Sequence, residues 1–171
     1  AGGFVLVARA HGGGGRERDR EVAAAVGVGG AGAGQSEKGP GGEALEVAAI
    51  SARDLATAKK AARKLGIAKS YGSYEEMLAD PEIDAVTLAL PNHWHVLGAI
   101  WGLQAGKHVY VEKPMCHTYW EGLQLVAAEK LYGKVLMHGT QRRSEPLWQR
   151  MVQRANAGTI AYLPEGAIGG L

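Results

Sequence analysis

Lys113 stands between Glu112 and Pro114 at the end of a short β-prone run, His108–Glu112. A lysine amine partly withdrawn from water loses some preference for its charged form. It can then hydrogen-bond, or exchange a proton with, a hydroxyl group. Pro114 would fix the turn that aims it. Taken alone, Glu-Lys-Pro also describes an ordinary surface lysine at a strand end. A second candidate is Gly27-Val28-Gly29-Gly30-Ala31-Gly32, which has G-x-G-x-x-G spacing at the end of an apolar run. Glycine there permits a tight turn, a close approach of backbone to a pyrophosphate, and a helix N-terminus with free N–H groups. Of the chain's 26 glycines, 14 fall in the first 42 residues, so the spacing arises readily by chance. Gly39-Pro40-Gly41-Gly42 also interrupts the helix that should follow.

Ser51-Ala52-Arg53 closes the next apolar run, where a dinucleotide fold usually places a carboxylate on the adenosine ribose. A carboxylate would repel a ribose phosphate, whereas a hydroxyl beside a guanidinium can hold one, so these residues favour NADP over NAD. Arg53 is equally describable as a solvated residue before a helix. Pro91-Asn92-His93-Trp94-His95 follows an apolar strand and should lie at the edge where open α/β sheets bind ligands. Asn92 or His93 can also serve there as a helix cap. No carboxylate or thiolate at ligand spacing accompanies His93 and His95, so a metal is not expected. Gln141, Arg142 and Arg143 follow another strand and face either a polar ligand or solvent. Trp94, Trp101, Trp120 and Trp148 read as packing residues, and Cys116 as structural.

The elements that must position these residues alternate. Strand-length runs at Val22–Val28, Leu45–Ile50, Asp84–Leu90, His108–Glu112 and Lys134–Gly139 are separated by helical patterns at Asp54–Leu65, Ser73–Ala79, His95–Ala105, Thr118–Leu131 and Leu147–Ala157. This is the signature of βαβ units on a doubly wound parallel sheet, an α/β fold of Rossmann type. Asp54 and Gly66 read as the two ends of one helix, and Ser73 to Glu76 has capping-box spacing.

The 171 residues are 46% hydrophobic and 21% charged, the proportions of one globular domain. No apolar run approaches the roughly 18 residues that a bilayer span requires. Dispersed basic residues and a formal charge of +2 argue against nucleic acid. One cysteine allows neither an internal disulfide nor a thiolate metal site. Residues 1–20 read as a flexible opening segment, 21–158 as the dinucleotide-binding domain and 159–171 as the start of a second domain. Ala8-Arg9-Ala10 has the small-x-small form of an export cleavage site, without a charged segment before it. A cytoplasmic location is the default, and a periplasmic one follows if the first ten residues are an export-signal remnant.

Together, Gly27 to Gly32, Pro91 to His95, Ala105-Gly106-Lys107-His108-Val109-Tyr110-Val111-Glu112-Lys113-Pro114 and Gly139-Thr140-Gln141-Arg142-Arg143-Ser144 resemble the glucose-fructose oxidoreductase, inositol dehydrogenase and MocA family. The A-G-K-H-V-x-x-E-K-P stretch is the most specific part. The resemblance implies an NADP- or NAD-dependent oxidoreductase of sugars or polyols, with a second α/β domain that completes the substrate site and an oligomer interface. It implies Gly27, Gly29, Gly30 and Gly32 at the pyrophosphate, and Ser51 and Arg53 at the ribose or its phosphate. Pro91, Asn92 and His95 would lie along the cofactor, Glu112 and Lys113 near the nicotinamide ribose, and Arg142 toward the substrate. Lys113 would be catalytic. The family's second domain is represented at most by its first strand, Thr159 to Leu163. The alternative is therefore a nucleotide-binding or scaffold module without turnover.

Overall fold

The structure is a computed structural model that describes residues 4–10, 37–38, 44–140, 143 and 145–158. Its centre is a sheet with strand order β2-β3-β1-β5-β6-β7, to which β4 adds by pairing with β3. The strands are β1 Phe4–Ala10, β2 Glu37–Lys38, β3 Ala44–Ser51, β4 Lys69–Tyr71, β5 Ala85–Ala89, β6 His108–Glu112 and β7 Leu136–Gly139. β3 and β4 pair in parallel, as do β5 with β6 and β6 with β7. β1 lies antiparallel to both β3 and β5, so those two run the same way. Five strands therefore end on one rim, at Ser51, Tyr71, Ala89, Glu112 and Gly139. Ligands of open α/β sheets bind at such a rim.

β5 and β6 are almost continuously apolar because helices cover them. The helices are α1 Leu55–Leu65, α2 Tyr74–Leu78, α3 His95–Gln104, α4 Tyr119–Tyr132 and α5 Pro146–Asn156. Val86 and Leu88 of β5, Val109 and Val111 of β6, Ala99 and Leu103 of α3 and Leu125 of α4 form one buried cluster with Met77. Each fully buried leucine there contributes roughly 1.5–3 kcal/mol of transfer free energy. Local signals set the helix ends. The Asp54 carboxylate accepts from Thr57 N at 2.8 Å, and Gly66 closes α1 at φ 69°, where a side chain would be strained. Ser73 caps α2, and Thr118 with Glu121 forms a capping box on α4. The cap expected from Asn92 or His93 is not formed. A 3-10 turn, Asn92–Trp94, starts at Pro91 and runs straight into α3, and neither start has a side-chain cap.

One part of the opening segment departs from expectation. Phe4–Ala10 is a strand, not a flexible run, and it fills the central slot of the sheet with Val5 opposite both Ser51 and Leu88. A slot between two strands exposes two rows of N–H and C=O groups that must be paired. Phe-Val-Leu-Val is the β-prone apolar segment that pairs them, and Val5 is buried. Residues 11–20 and the expected strand Val22–Val28 lie outside the described residues. So does 159–171, the expected start of a second domain. β2 and β4 were not expected, being too short to show a period.

The chain divides into two units, Ala1–Gly139 and Thr140–Leu171. The described part of the second contains α5, whose Leu147, Trp148, Met151 and Val152 are exposed. No helix among the described residues is long and apolar enough to cross a membrane.

Candidate functional site at the carboxyl rim

The tips of β3 and β5, the start of α2 and one side of α3 enclose a cleft of about 480 Å³. Ser51, Ala52 and Arg53 come from the end of β3, Gly72 and Tyr74 from the turn after β4, and Leu90 and Pro91 from the end of β5. Trp94, Gly98 and Trp101 add an aromatic side, and Val5 of β1 reaches the same space. The two indoles stand 6.1 Å apart between ring centroids, tilted by 42°. Such an arrangement offers two apolar ring faces, set at an angle, against which a planar ring can pack.

Ser51 is 3% exposed, and among the described residues its hydroxyl has no hydrogen-bond partner. A buried hydroxyl without a partner is costly, and a ligand oxygen in the cleft would relieve that cost. Arg53 is open to solvent, its side chain 88% exposed, with a loose ion pair of 3.9 Å to Asp54. Hydrogen bonds from Thr57 hold the Asp54 carboxyl below its usual range, so it stays committed to its helix. The guanidinium is thus free to meet an anion. On the opposite wall, Tyr74 donates to the carbonyl of Gly98 at 2.9 Å, and burial pushes its phenol up. Gly98 lets α3 approach β5 closely, since a Cβ there would lie 3.2 Å from Leu88 and Leu90 side-chain atoms.

Further along the rim, Glu112 is held by parallel pairing with Gly139, and the next residue, Lys113, is exposed. The peptide between Lys113 and Pro114 is cis. The Pro114 carbonyl lies 2.6 Å from Nδ1 of His95, whose Nε2 lies 2.9 Å from the Leu90 carbonyl. His95 is 1% exposed. A neutral imidazole has one N–H and serves one of these carbonyls, whereas a ring protonated on both nitrogens serves both. His95 was expected along the cofactor, but both of its nitrogens are engaged with backbone, away from solvent. Pro91 and Asn92 are exposed at the rim as expected.

The structure thus places Ser51, Arg53, Pro91, Asn92, Glu112 and Lys113 on one rim, and gathers Ser51, Arg53 and Pro91 around one cleft. Gly27, Gly29, Gly30, Gly32, Gln141 and Arg142 lie outside the described residues. Arg143 belongs to the second unit, is exposed, and accepts from Gln149 through its carbonyl. Sequence reasoning missed Gly72, placed Tyr74 only within the first turn of a helix, and treated Trp94 and Trp101 as packing. For Trp94 the available signal was position, a few residues past a recognised strand; Gly72 and Tyr74 had none, because β4 is too short to show a period.

Comparison with known proteins agrees with this geometry. Residues 23–140 match the family described as "Oxidoreductase family, NAD-binding Rossmann fold". An uncharacterized oxidoreductase of Rhizobium meliloti, ORF334, is 44% identical over 118 residues, 69% of this chain and 35% of the relative. The trans-1,2-dihydrobenzene-1,2-diol dehydrogenase of Mus musculus is 36% identical over the same shares. Among solved structures, a variant of KijD10, a 3-ketoreductase from Actinomadura kijaniata in complex with TDP-benzene and NADP, matches with a TM-score of 0.63 and 28% identity. It covers 69% of this chain and 36% of that one. The chain spans about a third of the length of the curated relatives it matches. Through residues 23–140 it belongs to the glucose-fructose oxidoreductase, inositol dehydrogenase and MocA family of oxidoreductases, and that segment is their NAD-binding Rossmann domain.

Proposed function

We propose that this chain is the cofactor-binding part of an oxidoreductase that prefers NADP to NAD and moves a hydride to or from a sugar or polyol carbon bearing a hydroxyl. The observation that carries the reading is the cleft at the tips of β3 and β5, lined by the buried Ser51 hydroxyl, without a hydrogen-bond partner among the described residues, and by the exposed Arg53 guanidinium, whose one ion pair, to Asp54, is loose. A ribose phosphate needs such a pair, one short donor and one diffuse cation. The residues therefore fit the adenosine end of the cofactor, with Pro91 and the indoles as its apolar wall. The 3-ketoreductase solved with NADP supports the phosphate-bearing form.

When bound, the nicotinamide supplies the hydride acceptor or donor at its C4 atom. Lys113, exposed on the same rim, would stabilise the oxygen as the carbinol C–H bond breaks and the carbonyl forms. The hydroxyl proton must pass to a base, and among the described residues no carboxylate or imidazole hydrogen-bonds the Lys113 amine. That observation favours the second reading, a nucleotide-binding module without turnover of its own. A homo-oligomer in the longer enzyme belongs to the first reading.

Titrating the purified chain with NADPH and with NADH, then assaying sugar-dependent turnover of the bound nucleotide, tests both. Tighter binding of NADPH with turnover supports the first reading, binding without turnover supports the module, and no binding of either nucleotide refutes both.

A further inference from the structure

We propose that His95 is a positioning residue for Lys113, holding the turn that carries the amine in register with the tip of β5. The proposal rests on the reading above for the role of Lys113, but its structural part stands on contacts within the chain. His95 opens α3, yet its ring does nothing for that helix end. Instead it bridges two carbonyls, Leu90 at 2.9 Å and Pro114 at 2.6 Å, that belong to the connections leaving β5 and β6. Both acceptors lie at the carboxyl rim. One precedes Pro91, which lines the cleft, and the other follows Lys113 by a single peptide.

Lys113 is thereby tethered on both sides. On its amino side, Glu112 is fixed by the ladder to Gly139, and Val111 by pairing with Leu88. On its carboxyl side, β6 has ended, and the first polar contact on the turn is the His95 ring against Pro114; the next lies at its far end, where the Glu121 carboxylate accepts from the amides of His117 and Thr118. Without the His95 contact the backbone from Lys113 to Cys116 would have Met115 and Cys116, half-buried against the core, to locate it. An exposed lysine keeps much of its rotamer entropy, so fixing its backbone is the available means of narrowing where the amine stands. A residue serving only as core filling would not need polar atoms. At 1% exposure, two ring nitrogens set within hydrogen-bond distance of two backbone carbonyls, not volume, are the distinguishing feature.

The test compares the unsubstituted chain with His95→Gln, which keeps a donor of similar reach, and His95→Leu, which keeps volume and offers none. Backbone hydrogen exchange without ligand should rise by about tenfold or more at Lys113, Met115 and Cys116 in His95→Leu, as the turn opens locally with one lost buried hydrogen bond, and by less in His95→Gln. Exchange in β5, at buried Lys107, and at the His117 and Thr118 amides that Glu121 holds should stay unchanged. Equal exchange at Lys113, Met115 and Cys116 in all three proteins overturns the proposal, as does global unfolding of both variants, which would make His95 a core residue. In the second arm, an amine-acylating reagent is applied with and without saturating NADPH. Cofactor should slow acylation of Lys113 several-fold in the unsubstituted chain and markedly less in His95→Leu, with binding retained. Equal protection in both overturns the positioning role. If the unsubstituted chain binds no nucleotide, the functional reading fails, while the exchange data still decide whether His95 holds the turn.

Discussion

The Lys107 ammonium donates to the carbonyl oxygen of Ile83 at 2.9 Å, and also to that of Asp80 at 2.9 Å, closing the connection before β5 onto the start of β6. These contacts lie at the amino ends of the strands, opposite the rim with the cleft. The lysine of the A-G-K-H-V stretch thus serves the frame, while the lysine six residues later stands exposed on the rim. Replacing Lys107 by Met should destabilise the chain by about 1–3 kcal/mol by leaving buried carbonyls without a donor, read as a lower urea midpoint.

The same residue gives a pH signature. Burial pushes the Lys107 amine below its ordinary value of 10.5, against the pull of Asp80 and Asp84. Its folded-state pKa is the lower one, so between the two values the unfolded chain binds more protons and stability rises with pH. The cost of burying the charge is full below the folded value and relieved as pH climbs toward 10.5. The stability difference between the unsubstituted chain and Lys107→Met should therefore change between neutral and alkaline pH. A difference independent of pH would remove the buried-charge account.

Asp80 should dominate acid sensitivity. Its carboxylate accepts from Lys69 at 2.8 Å and from Tyr71 at 2.6 Å, and these bonds, the lysine's first, hold its pKa well below 3.8. A depressed carboxylate contributes stability that is present above the unfolded value and lost as pH falls through the folded one. Asp80→Asn should lower Tm at neutral pH and flatten its fall below about pH 4. An unchanged acid profile in the variant would place the acid sensitivity elsewhere.

Arg53→Ala should weaken NADP far more than NAD, by about 1–3 kcal/mol for one lost charged contact. Calorimetric titration with both nucleotides decides it. Equal losses for the two would remove the phosphate-binding role and leave Arg53 a solvated residue next to α1.

Binding of either nucleotide should quench tryptophan emission if the cleft takes the adenosine end. Trp101→Phe should lose a large part of that quench, while Trp120→Phe, at an exposed position of α4, should not. Equal quenching in both variants would move the nucleotide away from the indoles.

The parallel strands and the rim were legible because their signals are local. Asp84–Leu90 is apolar without alternation, as a doubly covered strand must be, and Asp54 and Gly66 mark both ends of α1 by their own chemistry. Lys113 could be placed at a strand end for the same reason. What sequence could not yield is set by contacts between distant segments. Phe4–Ala10 takes the central slot because β3 and β5 leave it open, a fact absent from those seven residues. His95 carries a motif position that suggests a ligand contact, yet its ring is claimed by two carbonyls that only the fold brings together. The aromatic side of the cleft depends on a 3-10 turn and about two α-helical turns lining up Trp94 with Trp101, which the expected single helix start at His95 did not foresee.

Lys113→Met should leave nucleotide affinity largely intact while abolishing turnover wherever turnover is measured. The side chain is exposed, and none of the core contacts depends on it, so the fold has little to lose. Methionine keeps much of its length and removes the donor. A loss confined to kcat assigns the amine to the oxygen whose charge changes during hydride transfer, because a group serving binding alone would raise KM instead. Unchanged kcat would return Lys113 to the status of a surface residue at a strand end. It would also leave the Pro114 clamp as a feature of the fold with no bearing on chemistry.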